Sequence, residues 1–140
     1  MADQDAIDVS GLSVLGRTVQ GPIQHLECFS APDHVTKVRF TTDEVMSLCP
    51  ITGQPDLSSV LIEYQPQDLC IESKSLKLYL WHFRDRKVFC EALAAEIADE
   101  VVQTVAPVEV RVVVTQHARG GIVTEATAER RAPASSADQP

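Results

Sequence analysis

Polar and apolar residues alternate from His34 to Thr41, with Thr36, Val38 and Phe40 on one side and Lys37 and Arg39 on the other. A period of two is that of a half-buried strand. It returns from Leu57 to Tyr64, where Val60, Ile62 and Tyr64 align. Between Glu72 and Arg84 the spacing changes. Leu76, Leu80 and Phe83 lie at helical intervals, which predicts a helix there. Phe89, Leu93, Ile97, Val101 and Val105 recur every fourth residue, and Glu96, Asp99, Glu100 and Gln103 fall mostly on other faces. That pattern predicts an amphipathic helix over Val88–Val105, stopped by Pro107. Val108 to His117 reads as a strand, and Gly120-Gly121 turns the chain into a last strand over Ile122–Ala128.

The order strand, strand, helix, helix, strand, strand predicts an α+β domain. Its simplest packing is a four-stranded antiparallel sheet with two helices on one face. Leu61, Val113 and Val123 fall out of phase with the core positions. They suggest oligomerisation through the sheet, while a solvated face with scattered apolar residues is the plainer alternative. The glycine-bearing, acidic stretch 1–22 lacks periodicity and reads as a flexible N-terminal arm. Residues 23–130 form the domain, and the small, polar, proline-bearing stretch 131–140 reads as a disordered tail.

Composition narrows the function classes. The 140 residues are 44% hydrophobic and 23% charged, the balance of a globular protein. No apolar run approaches the ~18 residues of a bilayer span. An acidic N-terminus in place of a basic leader points to the cytoplasm. With 12 Lys and Arg against 20 Asp and Glu, the net charge is −8, which disfavours nucleic acid as a partner. It leaves room for a small anion facing a local cluster of lysines.

Three segments hold candidate chemistry. Leu48-Cys49-Pro50-Ile51-Thr52-Gly53-Gln54-Pro55-Asp56 is a rigid loop able to present a thiol, with a carboxylate at the start of the following strand. A thiol of lowered pKa is a nucleophile, and a carboxyl group can manage the proton of the reacting group. A single cysteine in a turn is more commonly structural, and Asp56 is also an ordinary turn residue. In Glu72-Ser73-Lys74-Ser75-Leu76-Lys77-Leu78-Tyr79, two lysines sit where a helix start favours acids. An anion site accounts for them, although a solvated helix face, with Glu72 partly neutralising the lysines, is the commoner case. Glu91, in the first turn of the second helix, can accept two hydrogen bonds from an amidine edge or simply favour the helix start. Cys28, Cys49, Cys70 and Cys90 form no Cys-x-x-Cys pair, and the four histidines lack ligand spacing, so no metal site is expected. No Gly-x-Gly-x-x-Gly or Walker loop occurs.

Taken together with Phe83-Arg84 and Glu91, the two long motifs resemble the QueF family, the NADPH-dependent 7-cyano-7-deazaguanine reductases of queuosine biosynthesis. The likeness runs from about Val35 to Ala128 and is closest to the single-module branch. It implies the tunnelling fold, a four-stranded antiparallel sheet with two helices between its second and third strands. It also implies a homo-oligomer of stacked rings with active sites between subunits. The implied reaction takes the small molecule 7-cyano-7-deazaguanine to its primary amine with two NADPH. By the same resemblance Cys49 is the nucleophile that forms a covalent thioimide, and Asp56 is the proton donor. Ile71, Glu72, Ser73, Cys90 and Glu91 contact substrate, and Lys74 and Lys77 bind NADPH. Many members carry histidine immediately before the glutamate matching Glu91; here Cys90 stands in its place. Two rival readings share the fold. One is an amidinotransferase acting on 7-cyano-7-deazaguanine in tRNA, which lacks the Glu-Ser-Lys-Ser-Leu-Lys motif. The other is a non-catalytic pterin- or purine-binding ring protein.

Overall fold

The computed structural model describes residues 11–16 and 19–133. Among the described residues six strands and two helices follow in the order β1 (Cys28–Ser30), β2 (Val38–Leu48), β3 (Pro55–Gln65), β4 (Leu69–Ile71), α1 (Ser73–Trp81), α2 (Cys90–Val105), β5 (Glu109–Arg119) and β6 (Ile122–Arg131). A single 3-10 turn, His82–Asp85, extends α1. The large sheet has the order β2-β3-β5-β6 and every neighbouring pair in it is antiparallel. The α+β class, the two helices between the second and third long strands and the four-stranded sheet all follow the periodicity.

One face of the sheet is the core. Val60, Ile62 and Tyr64 of β3 and Val110, Val112 and Val114 of β5 are buried against Leu93, Ile97, Ala98 and Val101 of α2. Leu76 and Tyr79 of α1, with Phe83, close the same layer. The Phe83 ring meets the Tyr79 ring edge-on at 5.3 Å between centroids, a favoured aromatic geometry.

The strand first predicted over His34–Thr41 begins at Val38 and continues to Leu48. The reason is a β-bulge: Thr42 pairs with Val60 but Val45 with Ser58, so one extra residue enters β2. The inward positions shift from Val38 and Phe40 to Val45 and Ser47, and this breaks the period that pattern reading relies on. Phe89, placed by its spacing on the core stripe of the second helix, instead precedes α2 and is exposed. The short pair β1 and β4 carries no periodic signal; three residues per strand are too few.

The expected flexible arm over 1–22 and tail over 131–140 fall in part on residues 1–10, 17–18 and 134–140, which lie outside the described residues. Within the arm, Leu12 and Val14 are buried. The amides of Ser13 and Val14 donate to the Glu27 carboxylate at 2.8 and 3.1 Å, and the Ser13 hydroxyl bonds to it as well. Burial pushes the Glu27 carboxyl up, but these hydrogen bonds outweigh it and hold the group below the ordinary carboxylate value. Lys74 Nζ donates to the Val14 carbonyl at 3.1 Å.

Glu72 caps α1. Its two carboxylate oxygens accept from the amides of Lys74 and Ser75, each at 2.7 Å, while the residue itself is buried. These are two of the amides that a helix start leaves without partners. Loss of a side-chain cap typically costs about 1 kcal/mol, so Glu72→Ala is expected to lower the melting temperature by roughly 3–6 °C, read by thermal circular dichroism. An unchanged melting temperature would show that α1 needs no cap.

Candidate active site

The hairpin between β2 and β3 builds the first part of the site. The Cys49 amide donates to the Gln54 carbonyl at 2.8 Å, and the Gly53 amide donates to the Cys49 carbonyl at 2.9 Å. Gly53 has φ +72°, a left-handed conformation that glycine adopts without a side-chain clash. The turn therefore closes directly on the cysteine and folds Ile51 and Thr52 back toward its sulfur. The Thr52 hydroxyl, the amides of Thr52 and Ile51, and the Arg119 guanidinium, in that order, hold the Cys49 thiol down to about 6. Donors converging on one atom favour its anion. Cys49 is therefore largely thiolate at neutral pH.

The other thiols differ. Burial, and then the Glu27 carboxylate, push Cys28 up; burial, and then Glu91, push Cys90 up. Cys70 is buried.

Asp56, the second residue of β3, lies opposite Ser47 in the ladder, two residues before Cys49. Its side chain turns to the helix-covered face. It is 3% exposed, beside buried Ser47 and Ser58, in a polar end to an otherwise apolar layer. The guanidinium of Arg119, the last residue of β5, pairs with a side-chain oxygen of Asp56 and also reaches Cys49.

The start of α2 joins the same end of the sheet. Leu48 exchanges backbone hydrogen bonds with the 86–88 segment: its amide donates to the Arg86 carbonyl at 2.8 Å and its carbonyl accepts from Val88 at 3.2 Å. Cys90 and Glu91 follow at once. Glu91 is exposed in the first turn. Cys90 is buried, its thiol donating to the Val114 carbonyl at 3.5 Å. It packs on the sheet rather than facing solvent.

The remaining expected contacts sit elsewhere. The Ile71 amide donates to the Tyr64 hydroxyl at 2.8 Å, which ties Ile71, Glu72 and Ser73 to the far end of β3. Eight residues of strand separate Tyr64 from Asp56, roughly 26 Å at 3.3 Å per residue. Glu72 is engaged as a helix cap, whereas Ser73 is exposed. Lys77 and Ser73 line a cleft of about 690 Å³ between α1 and β2, with Met46, Leu80, Trp81 and Arg84. Its two cations and part-exposed indole fit a phosphate-bearing dinucleotide with an aromatic head. Among the described residues, no group of three or more His, Cys, Asp or Glu is placed to hold a metal.

The sequence pattern singles out Cys49, Asp56 and Glu91, which the fold brings to one end of the sheet, but not Thr52, Arg119 or Trp81. Thr52 lies inside the quoted loop, so its signal was present. Arg119 stands alone before Gly120-Gly121, and nothing in its neighbours marks it.

An activated thiol beside a buried carboxyl group on an α+β domain is an arrangement capable of covalent thiol chemistry. The chain belongs to the QueF-like protein family, whose model matches residues 55–135. An NADPH-dependent 7-cyano-7-deazaguanine reductase from Alkalilimnicola ehrlichii is 42% identical over 116 residues, covering 80% of this chain and 88% of that protein. A protein of the same name from Anaeromyxobacter sp. is 42% identical over 109 residues, covering 76% and 89%. The crystal structure of the archaeosine synthase QueF-Like in the apo form superposes with a TM-score of 0.64 at 29% identity, covering 71% of this chain and 94% of that one.

Selective alkylation tests the thiol assignment. At pH 7, iodoacetamide is expected to label the Cys49 peptide well before those of Cys28, Cys70 and Cys90, with a midpoint near 6. Thr52→Val, which removes the leading donor, should move that midpoint upward. Equal labelling of all four peptides would count against an activated Cys49.

Proposed function

We propose that this protein reduces the nitrile of 7-cyano-7-deazaguanine to the primary amine with NADPH, through a covalent thioimide on Cys49. The observation that carries the reading is the Cys49 thiolate, formed by its own turn and set beside the buried Asp56 carboxyl group. A nitrile carbon is electrophilic, so the sulfur adds to it and the nitrogen takes one proton. Asp56 stands where that proton can be handled. Covalent attachment splits a four-electron reduction into steps and retains the half-reduced substrate. Nitrile to amine consumes two hydrides and two protons, hence two NADPH per amine. NADPH supplies the hydride; the chain supplies orientation and protons. Lys77 and Arg84 at the cleft rim are suited to its phosphates, and Lys74 lies one turn away on α1. Glu91 is suited to the guanine-like edge of the substrate, accepting two hydrogen bonds.

The substrate contacts expected of Ile71–Ser73 start beside Tyr64, at the opposite end of β3 from Asp56 and Cys49. A second copy is the natural source of those contacts, which supports a homo-oligomeric ring with sites between subunits. Two further features support it. Strands β2 and β6 are both edges of the large sheet, 11 and 10 residues long, and pairing β2 of one copy with β6 of the next is a head-to-tail contact that closes into a ring. Ile51, Leu57, Phe89, Ile122 and Val123 are all exposed at the Cys49 end. Among the described residues no helix is long and apolar enough to cross a membrane. A small free substrate in the cytoplasm, without nucleic acid, accords with the net charge of −8.

Incubation with the nitrile and no NADPH is expected to add one substrate mass to the Cys49 peptide and to no other. Cys49→Ala should abolish both adduct and turnover. Asp56→Asn should slow turnover by about 10²–10⁴-fold, the usual worth of a proton-managing group. NADPH oxidation in a ratio other than two per amine would rule out this reaction.

A mixing experiment tests the shared site. Cys49→Ala and Ser73→Tyr are each expected to be inactive alone. Denatured together in equal amounts and refolded, they should regain about a quarter of the parent activity, because that share of interfaces combines two intact halves. No recovery would place the whole site within one chain.

A further inference from the structure

Neither the core nor the reaction steps above give the Arg119 guanidinium a task, yet β5 is distorted to aim it. Gln116 pairs with Thr124, but Arg119 pairs with Ile122, so β5 carries one residue more than β6 requires. Gln116 also pairs with Ser58 and shares its inward face. In a regular strand the inward positions would continue to residue 118 and turn 119 outward. The bulge reverses that phase and brings Arg119 to the face of Asp56, where its guanidinium meets a side-chain oxygen of that residue. Gly120 and Gly121, with φ of +58° and +78°, close a two-residue hairpin directly behind it. The cation is thus held from both sides along the chain, and its reach covers two groups that the reaction uses in succession.

We infer that Arg119 is a shared counter-ion: in the free protein its guanidinium already spans the Asp56 side chain and Cys49, so that the one negative charge these two acids share moves from sulfur to oxygen beside a fixed positive charge. The inference rests on the reaction proposed for Cys49. Before addition the groups are thiolate, carboxylic acid, guanidinium and nitrile. Afterwards they are the S–C bond with its C=NH, carboxylate and guanidinium. The sulfur lone pair forms the new bond, one π pair of the nitrile moves to nitrogen, and that nitrogen takes the Asp56 proton. Net charge is zero on both sides. Asp56 is almost wholly buried, so a carboxylate produced there without a cation would be costly. Arginine suits the task because it stays protonated at any working pH and its fork can face two acceptors at once.

Arg119→Gln removes the charge and keeps a planar amide. Arg119→Lys keeps the charge and loses the fork. The pH dependence of Cys49 alkylation and of adduct formation with 7-cyano-7-deazaguanine separates charge from shape. In the parent both should titrate with a midpoint near 6. In Arg119→Gln the midpoint is expected to rise by about one unit, so that both rates fall about fivefold at pH 6 and less than twofold at pH 8.5. Arg119→Lys should keep the parent midpoint with a lower adduct rate. A purely structural role would lower the rates by one factor at every pH, and that result overturns the inference. So does a Lys variant whose midpoint moves as far as that of the Gln variant. If Arg119→Gln fails to fold by circular dichroism, the Lys variant carries the decision. A parent that forms no Cys49 adduct ends the proposed reaction, while iodoacetamide still reads the charge of Arg119 without substrate. A parent adduct with an unmoved Arg119→Gln profile ends the role of Arg119 alone.

Discussion

The reactive end of this molecule depends on one hairpin closure: the Cys49 backbone bonded to Gln54 and Gly53 across the β2–β3 turn. A loop joined by such short-range bonds fixes the Cα–Cβ direction of Cys49, because its backbone cannot move without breaking the ladder that continues into Ser47 and Asp56. The same closure folds Thr52 onto the sulfur. Activation of the thiol is thus a consequence of turn geometry, with the net charge of the protein working against it. A chain at −8 disfavours one more anion, and local donors within a few ångströms overcome that field.

The second constraint is phase. Strand β3 runs regularly, with Asp56, Ser58, Val60, Ile62 and Tyr64 all inward. Its neighbours on both sides contain an extra residue, between Thr42 and Val45 in β2 and between Gln116 and Arg119 in β5. Each bulge turns a side chain inward near the Cys49 end that a regular strand would have turned outward. Bulges next to active sites re-aim side chains in this way. Here two of them convert the apolar core layer into a polar terminus where Ser47, Asp56, Ser58 and Arg119 meet.

The length of β3 explains why the motifs do not converge within one chain. Glu72 and Ser73 begin α1 at one end of the sheet and Cys49 and Glu91 lie at the other. Such a division suits a protein in which one copy supplies the reacting groups and its neighbour supplies contacts to the bound molecule. The docked segment 11–16 reinforces the first of these ends: Glu27 and Lys74 grip it beside the α1 cap, so the helix start is braced before any ligand arrives.

Much was legible in the sequence because it depends on local periodicity. Four-residue spacing in 93–105 made α2, two-residue spacing made β3 and β5, and a double glycine made the last hairpin. The cysteine, the carboxylate and the capping Glu72-Ser73-Lys74-Ser75 stretch were visible as residue types in an unusual order. Three features were decided only by the tertiary structure. An extra residue in a strand leaves no mark on composition, so the inward turn of Arg119 and the true length of β2 emerge only from cross-strand register. Phe89 leaves the core stripe and Cys90 enters it, since the helix starts at Cys90, two residues later than the apolar spacing implies, and the extended backbone at Phe89 turns that ring outward while the stripe from Leu93 to Val105 keeps its phase. The lowered thiol depends on donors whose direction is set by the turn, and direction is a property of the folded backbone that residue order alone does not carry.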